Sequence, residues 1–418
     1  MATKRFPIDW PLVIVALLLS LYGIAIVYSA GQTDIATSVA RVWRSQMLWF
    51  FLAIAVAYGA SRCSVRLIEW LTWPAYWLSI VMLVLLVAGL GTGAGTAAST
   101  KSWLAIGGVR IGQPSELAKI TVVLALARVL STFKEPPKSL LELWKPALVV
   151  GLPWALIMMQ PDLGTGIVFV GFAFAMLFWS GVSWPLLVLV ASPVVSLILA
   201  FNVQVWGAWF LLLLALLLWY KPYLYEGIFL AVTNVVFGVL APIIWESLAP
   251  YQQKRLLVFL NPEIDRRAAG YHVLQSQIAI GSGGLFGRGY TQGPQKRLAF
   301  LPAQHTDFIF AVVGEELGFI GVLLAFALFL MLFVRVTKIA ERANDSFSSL
   351  VAFGLLASWF VHVLVNIGMT LNLMPITGIP LPFFSYGGSF MLACWIAVGI
   401  LVRISAEGRG GRTGPFAV

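Results

Sequence analysis

Apolar runs separated by short polar turns occupy most of the chain. They fall at 10–29, 45–61, 70–90, 114–131, 146–160, 163–180, 184–201, 205–220, 226–246, 308–334, 347–371 and 383–402. Each is predicted as a helix, against the roughly 17–25 residues needed to cross hydrocarbon. Two runs, 146–160 and 205–220, are short and need a thinned bilayer or flanking anchors. Trp206, Trp209, Trp219 and Tyr220 supply such anchors for the second. The pattern therefore predicts an all-α polytopic membrane protein of 10 to 12 transmembrane helices, with 12 favoured. It is a single integral membrane domain over 1–418, with a long extracytoplasmic loop at 247–306 and a short cytoplasmic tail at 405–418. Within the long loop, Tyr271, Leu274 and Ile278 share one helical face, which predicts a helix in the interface plane.

Composition agrees with a lipid solvent. Only 11% of residues are charged, against about 25% in soluble domains. Met1 to Trp10 carries just Lys4 and Arg5 and no small-residue cleavage site, so no cleavable signal is expected. Cys63 and Cys394 lie far apart in apolar surroundings and read as packing residues. His272, His305 and His362 lack metal-ligand spacing.

Basic residues orient the spans. With the N-terminus inside, the cytoplasmic side holds Lys4, Arg5, Arg62, Arg66, Arg128, Lys134, Lys138, Lys145, Lys221, Arg335, Lys338, Arg342, Arg403, Arg409 and Arg412. The short external loops hold only Arg41, Arg44, Lys101 and Arg110. This asymmetry predicts both termini in the cytoplasm. The net charge of +10 is then a topology signal and not a nucleic-acid footprint. Asp307, Glu116, Asp162, Glu315 and Glu316 all fall at or near external helix ends, so charged chemistry is expected outside.

Five clusters are candidates for that chemistry. Gln304-His305-Thr306-Asp307 closes the long loop and sets a carboxylate where water meets lipid, a costly position that marks functional groups. Gln113-Pro114-Ser115-Glu116 opens the fourth run with ordinary helix-start signals. Lys119, one turn deeper on the same face, suggests a Glu116–Lys119 pair lining an external crevice. Gln160-Pro161-Asp162-Leu163-Gly164 reads first as a structural turn. The loop around Arg255 and Arg288 is basic, which suits diphosphates or anionic lipid heads, with plain lipid anchoring as the alternative. Its run Gly281-Ser282-Gly283-Gly284-Leu285-Phe286-Gly287 lets backbone approach a ligand closely. Pro380, Pro382 and Phe383 to Ser389 read either as a wall of the same cavity, with Asn366, Asn372, Ser385 and Ser389 as polar lining, or as a kinked packing segment.

Together these blocks resemble the SEDS family (shape, elongation, division and sporulation). The carrying residues are Gln113-Pro114-Ser115-Glu116 with Lys119, Gln160-Pro161-Asp162-Leu163-Gly164-Thr165, Ala279-Ile280-Gly281-Ser282-Gly283-Gly284-Leu285 with Gly287, His305-Thr306-Asp307-Phe308-Ile309-Phe310 with Glu315-Glu316-Leu317-Gly318, and Gly378-Ile379-Pro380-Leu381-Pro382 with Ser385-Tyr386-Gly387-Gly388-Ser389. Five blocks in family order span nearly the whole chain. The short N-terminus and Leu301-Pro302 before His305 resemble the rod-shape branch.

The resemblance implies a peptidoglycan glycosyltransferase of the bacterial cytoplasmic membrane. Its substrate is lipid II, the undecaprenyl-diphosphate-linked disaccharide-peptide, polymerised on the outer face for elongation and cell shape. It implies a class B penicillin-binding protein as partner, alongside membrane lipid and no nucleic acid. The family's essential aspartate falls on Asp307, and a loop tryptophan on Trp103. Three departures stand out: Ser102 where the family has Arg, Ala303 where it has Glu, and two extra helices between Gly166 and Tyr251.

Glycan growth needs a hydroxyl to attack an anomeric carbon, which makes Asp307 the candidate general base. Lys119, Arg255 and Arg288 are candidates to stabilise the departing diphosphate, with a divalent cation as an added helper but no dedicated metal site. Trp103, Glu116, His305 and Ser385 complete the expected substrate-binding set. The rival class is a flippase for the same precursor, though its site belongs near the midplane and within paired repeats. A non-catalytic scaffold is the third class.

Overall fold

The structure is a computed structural model that describes residues 8–34, 38–93, 102–106, 109–248, 250–261, 269–301 and 303–408. Lys4, Arg5, Lys101, Glu263, Asp265, Arg266, Arg267, Pro302 and the tail from 409 lie outside these, as does the Arg110 side chain.

Every predicted apolar run coincides with a helix. Up to the long loop these are α1 (Trp10–Ala30), α2 (Val42–Arg62), α3 (Val65–Leu85), α4 (Pro114–Leu130), α5 (Trp144–Met158), α6 (Leu163–Trp179), α7 (Trp184–Leu199), α8 (Val203–Tyr220) and α9 (Leu224–Ser247). Within the long loop lie α10 (Pro250–Leu260), α11 (Ala269–Ser282) and α12 (Pro294–Arg297). The chain ends with α13 (Ile309–Glu341), α14 (Ser346–Thr370) and α15 (Gly388–Gly408). Among the described residues, nine helical segments are long and apolar enough to span a membrane by length and composition. Shorter helices such as α6 and α7 pack among them. The chain is a multi-pass membrane protein.

Local chemistry sets the ends. Asp9 caps α1 by accepting from the Leu12 amide, and Asp162 caps α6 by accepting from the Thr165 amide and hydroxyl. Asp162 thus plays the structural part expected of it, and it also accepts from Gln113 at the mouth of α4. Cys394 is buried in the core, and both cysteines are free.

The core is formed mainly by α1, α4, α6, α13, α14 and α15, with one face each of α2 and α3. Outside it, α8 and α9 carry long exposed apolar faces. They join the rest through α7, where Ser192, Ser196 and Asn234 form a buried hydrogen-bonded knot.

Several expectations are corrected. The chain is not wholly helical: β1 (Gly91–Thr92), β2 (Trp103–Ile106) and β3 (Val109–Gly112) form an antiparallel sheet in the first large loop. The last helix starts at Gly388 and not at 383, because Phe383 takes a left-handed turn (φ 65°) after Pro382. In α11 the buried face is Val273, Ser276 and Ala279, packed on α13 and α14, while Ile278 is largely exposed. Ser276 buries itself by donating to the Thr370 carbonyl, and Tyr271, Leu274 and Ile278, the face expected toward the membrane interface, stay outside this packed face.

Within the glycine run, Gly283 and Gly287 meet protein backbone. At about 1.5 Å per residue, the 33-residue α13 is near 50 Å long, more than the roughly 30 Å of a hydrocarbon core. Gly318 (φ 63°) kinks it. Before the kink Ile309 to Glu316 are buried; after it Phe319, Ile320, Leu323 and Leu324 face outward. The 283–289 loop seats on that kink. Amides of Arg288 and Gly289 donate to the Glu315 and Glu316 carbonyls, and amides of Phe319 and Ile320 to those of Gly284 and Leu285. A Cβ on Gly287 (φ 81°) would stand 2.0 Å from the Glu316 oxygen, so no other residue fits.

Buried charge locks the seat. Lys296 pairs with Glu316 at 2.9 Å, both fully enclosed. Glu316 also accepts from Ser29 of α1 at 2.5 Å, and Lys296 donates to the Ser29 and Thr291 carbonyls. Glu315 accepts from the Gln295 and Lys296 amides. Removing one partner strands the other charge. Lys296→Met is therefore expected to cost about 3–5 kcal/mol, measured as thermal or denaturant unfolding in detergent. The pair Lys296→Met with Glu316→Gln should recover much of that loss.

Candidate active site

Two non-helical segments meet inside the helix bundle. One is the approach to α13, Ala303 to Phe308; the other is Ile376 to Gly387 between α14 and α15. Side chains satisfy the backbone of both. Asn366 of α14 donates from one amide group to the Asp307 and Ile379 carbonyls, at 3.0 and 2.8 Å. Ser385 donates to the Thr306 carbonyl and accepts from the Leu381 amide. The Tyr386 amide donates to the His305 carbonyl. Gln46 of α2 holds the Ser385 carbonyl and the Gly387 amide, and Gln304 donates to the Ala30 carbonyl.

Asp307 sits at this junction. Its carboxylate lies beside Gly378 (φ 73°), where even a Cβ would come within 3.3 Å. It is partly open, yet most of its surroundings are protein. Burial pushes its pKa up, opposed by the Thr306 hydroxyl and the positive charge of Arg255. The Thr306 hydroxyl also lies 3.2 Å from the Ala303 carbonyl. The ionised carboxylate is the stronger acceptor. Desolvation is the largest influence on its charge state. His305 packs against the Tyr386 ring, its Nδ1 buried without a partner. Burial lowers its pKa to about 4, so it is neutral at pH 7.

The Glu116–Lys119 pair forms, at 2.8 Å and almost wholly buried. Lys119 also contacts His362 Nε2 at 2.8 Å and lies over the Phe390 ring. An ammonium has three N–H donors, and carboxylate, imidazole and ring face occupy its surroundings. This enclosure corrects the expectation that Lys119 meets a diphosphate directly. Beside it lies a cavity of about 20 Å³, lined by Glu116, Lys119, Ser358, His362 and Cys394 among others. That is room for about one water.

The remaining expected residues divide. Arg255, on α10, is close enough to act on Asp307. Arg288 is exposed, and its described bond is the amide link to Glu315. Ser385 spends its hydroxyl on the backbone. Trp103 lies partly exposed in β2, its carbonyl accepting from Thr92. The hairpin reaches the junction where Gln113 donates to Ser389. His362 and Gln46 are functional supports that motif reading left unassigned; their signal is a polar side chain inside an apolar run. Among the described residues, no group of three or more His, Cys, Asp or Glu could hold a metal ion.

The likeness to known proteins runs the length of the chain. The FtsW/RodA/SpoVE cell cycle protein family model matches residues 9–209 and 206–410. The peptidoglycan glycosyltransferase RodA of Treponema pallidum is 33% identical over 96% of this chain and 98% of its own length. Peptidoglycan glycosyltransferase MrdB of Escherichia coli is 35% identical over 95% and 93%. Stage V sporulation protein E of Bacillus subtilis is 35% identical over 98% and 100%. A chain from a structure described as "Structural coordination of polymerization and crosslinking by a peptidoglycan synthase complex" superposes with TM-score 0.72 at 26% identity, covering 97% of this chain and 99% of that one. The fold of Thermus thermophilus RodA matches with TM-score 0.63 at 24% identity, covering 97% and 98%. The chain belongs to the FtsW/RodA/SpoVE family.

Proposed function

We propose that this protein is a peptidoglycan glycosyltransferase that polymerises lipid II on the outer face of the bacterial cytoplasmic membrane, for wall elongation and cell shape. One observation carries the reading: Asp307, partly open at the meeting of two stapled loops, has a raised pKa and Arg255 beside it. Relatives bearing that activity as their name align along almost the whole chain.

In the reaction a sugar hydroxyl of one lipid-linked substrate attacks the anomeric carbon of another. Asp307 accepts the hydroxyl proton as the new C–O bond forms, a contribution of roughly 10²–10⁴-fold. The bond from the anomeric carbon to the diphosphate breaks, and undecaprenyl diphosphate leaves with its electron pair. Arg255 supports the growing negative charge, with Arg288 and Trp103 on the approach. Neutral His305 offers a hydrogen bond without adding charge. A divalent cation would travel with the diphosphate and draw ligands mainly from its oxygens. Glu116 and Lys119 hold the site together.

Twelve helices, α1 to α9 and α13 to α15, are the membrane spans, with both termini cytoplasmic and Asp307 external. Two of them, within α7 to α9, exceed the family's usual ten, which fits their loose attachment to the core. The membrane-bound partner is a class B penicillin-binding protein, in keeping with the synthase complex that the fold resembles.

Asp307→Asn should bind lipid II yet form no glycan. Because burial raises the Asp307 pKa, the ionised carboxylate burdens the fold at pH 7, so this variant should melt no lower than the wild type. The activity of the wild type should fall on the acid side above the ordinary carboxylate range near about 4. Thr306→Val removes a group that favours ionisation and should move that limb to higher pH. Purified protein with labelled lipid II separates the classes: polymer supports the reading, whereas leaflet exchange without polymer points to a flippase and overturns it.

A further inference from the structure

His362 has no part in the reaction as written, yet it joins the two halves of the site. It is buried on α14, one turn before Asn366. Its Nδ1 lies 2.9 Å from the Pro380 carbonyl, which can only accept, so Nδ1 carries the proton. Nε2 is then the bare nitrogen and accepts from Lys119 at 2.8 Å. Lys119 in turn holds Glu116. On the other side, Pro380 follows Ile379, whose carbonyl Asn366 binds together with that of Asp307. Two residues earlier stands Gly378, against the Asp307 carboxylate. A continuous line of polar contacts runs from α4 through His362 to the loop beneath the catalytic carboxylate.

We propose that His362 is a positioning residue for glycan transfer: it braces the Ile376–Gly387 loop, and with it Asp307, against the Glu116–Lys119 pair. The inference rests on the glycosyltransferase reading for its activity readout but not for its structural one. Two features require an imidazole-like group. It must donate to a carbonyl on one side and accept from an ammonium on the other. Glutamine can do both, through its amide NH₂ and carbonyl. Phenylalanine fills the volume beside Phe390 and does neither.

The test compares full-length His362→Phe and His362→Gln with wild type. Lipid II polymerisation gives kcat and KM, and hydrogen exchange is followed over 376–387. The Leu381 amide, bonded to Ser385, and the Phe384 amide, bonded to Leu381, are the reporters. Small displacements of a catalytic group cost up to about 10²-fold. His362→Phe should therefore lower kcat by at least about tenfold with little change in KM, and should speed exchange in this loop. His362→Gln should restore both to within about threefold, since it keeps both hydrogen bonds. If His362→Phe cannot be purified intact, His362→Asn, too short for both contacts, replaces it with the same expectation. Wild-type exchange and kcat in the Phe or Asn variant would overturn the brace, as would a Gln variant no better than they are. Loosened exchange in His362→Phe, alongside a wild type that makes no polymer, would instead count against the glycosyltransferase reading alone.

Discussion

Non-helical backbone buried among membrane helices must find a partner for every amide and carbonyl, because no water is at hand to serve. The site is arranged around that requirement. The segment before α13 and the segment before α15 lie against each other, and neither forms a ladder of its own. Single side chains close the gaps instead: Asn366 for Asp307 and Ile379, Ser385 for Thr306 and Leu381, Gln46 for Ser385 and Gly387, and Gln304 for Ala30. Each staple costs conformational entropy and returns a net bond of about 0.5–1.5 kcal/mol. Their common product is a backbone around Asp307 with few alternative arrangements. The polar residues of these segments are spent on holding shape, which leaves the reacting carboxylate as the exception.

The same economy governs charge. Lys296 with Glu316, Lys119 with Glu116 and Arg335 with Asp9 are each paired with their opposite sign; the first and last bridge separate segments, and Lys119 reaches α14 through His362. Buried pairs of this kind are weak sources of net stability but strong penalties on any arrangement that parts them. They select one packing of α1, α4, α13 and α14. Asp307 has only the partial compensation of Thr306 and Arg255. Its raised proton affinity follows from that imbalance, and a base needs such affinity near working pH.

Much of this was readable before the structure. Apolar run length located the long helices, because crossing lipid demands length and hydropathy in one continuous segment. Asp307 stood out because a carboxylate at such a boundary has no cheap structural reason to be there. The Glu116–Lys119 pair followed from helical spacing alone. What stayed hidden was long-range partnership. The Gly281–Gly289 run looked fit for a close approach, and at Gly283 and Gly287 that approach is made by the backbone of α13 thirty residues later in sequence. Helical spacing in α11 named Tyr271, Leu274 and Ile278 for the membrane interface, but it did not show that Val273, Ser276 and Ala279 pack on α13 and α14. Local pattern reports what a segment can bury, not what it meets.

Gly318 shows how these levels join. A glycine within a long apolar run would ordinarily weaken the helix by up to about 1 kcal/mol. Here its left-handed backbone turns α13 and lets the Gly283–Gly289 loop seat against the bend. That seat fixes the depth of Glu315 and Glu316, which fasten Lys296 and the α12 turn. The stretch between Asp307 and the kink is therefore held at both ends, by loop staples before it and by buried charge after it. Beyond the kink α13 exposes one face, Phe319, Ile320, Leu323 and Leu324, and buries the other through Ala325, Leu328, Phe329, Leu332 and Val336, with Arg335 tied to Asp9. The bend divides one helix into a buried part next to the chemistry and a spanning part that carries the length.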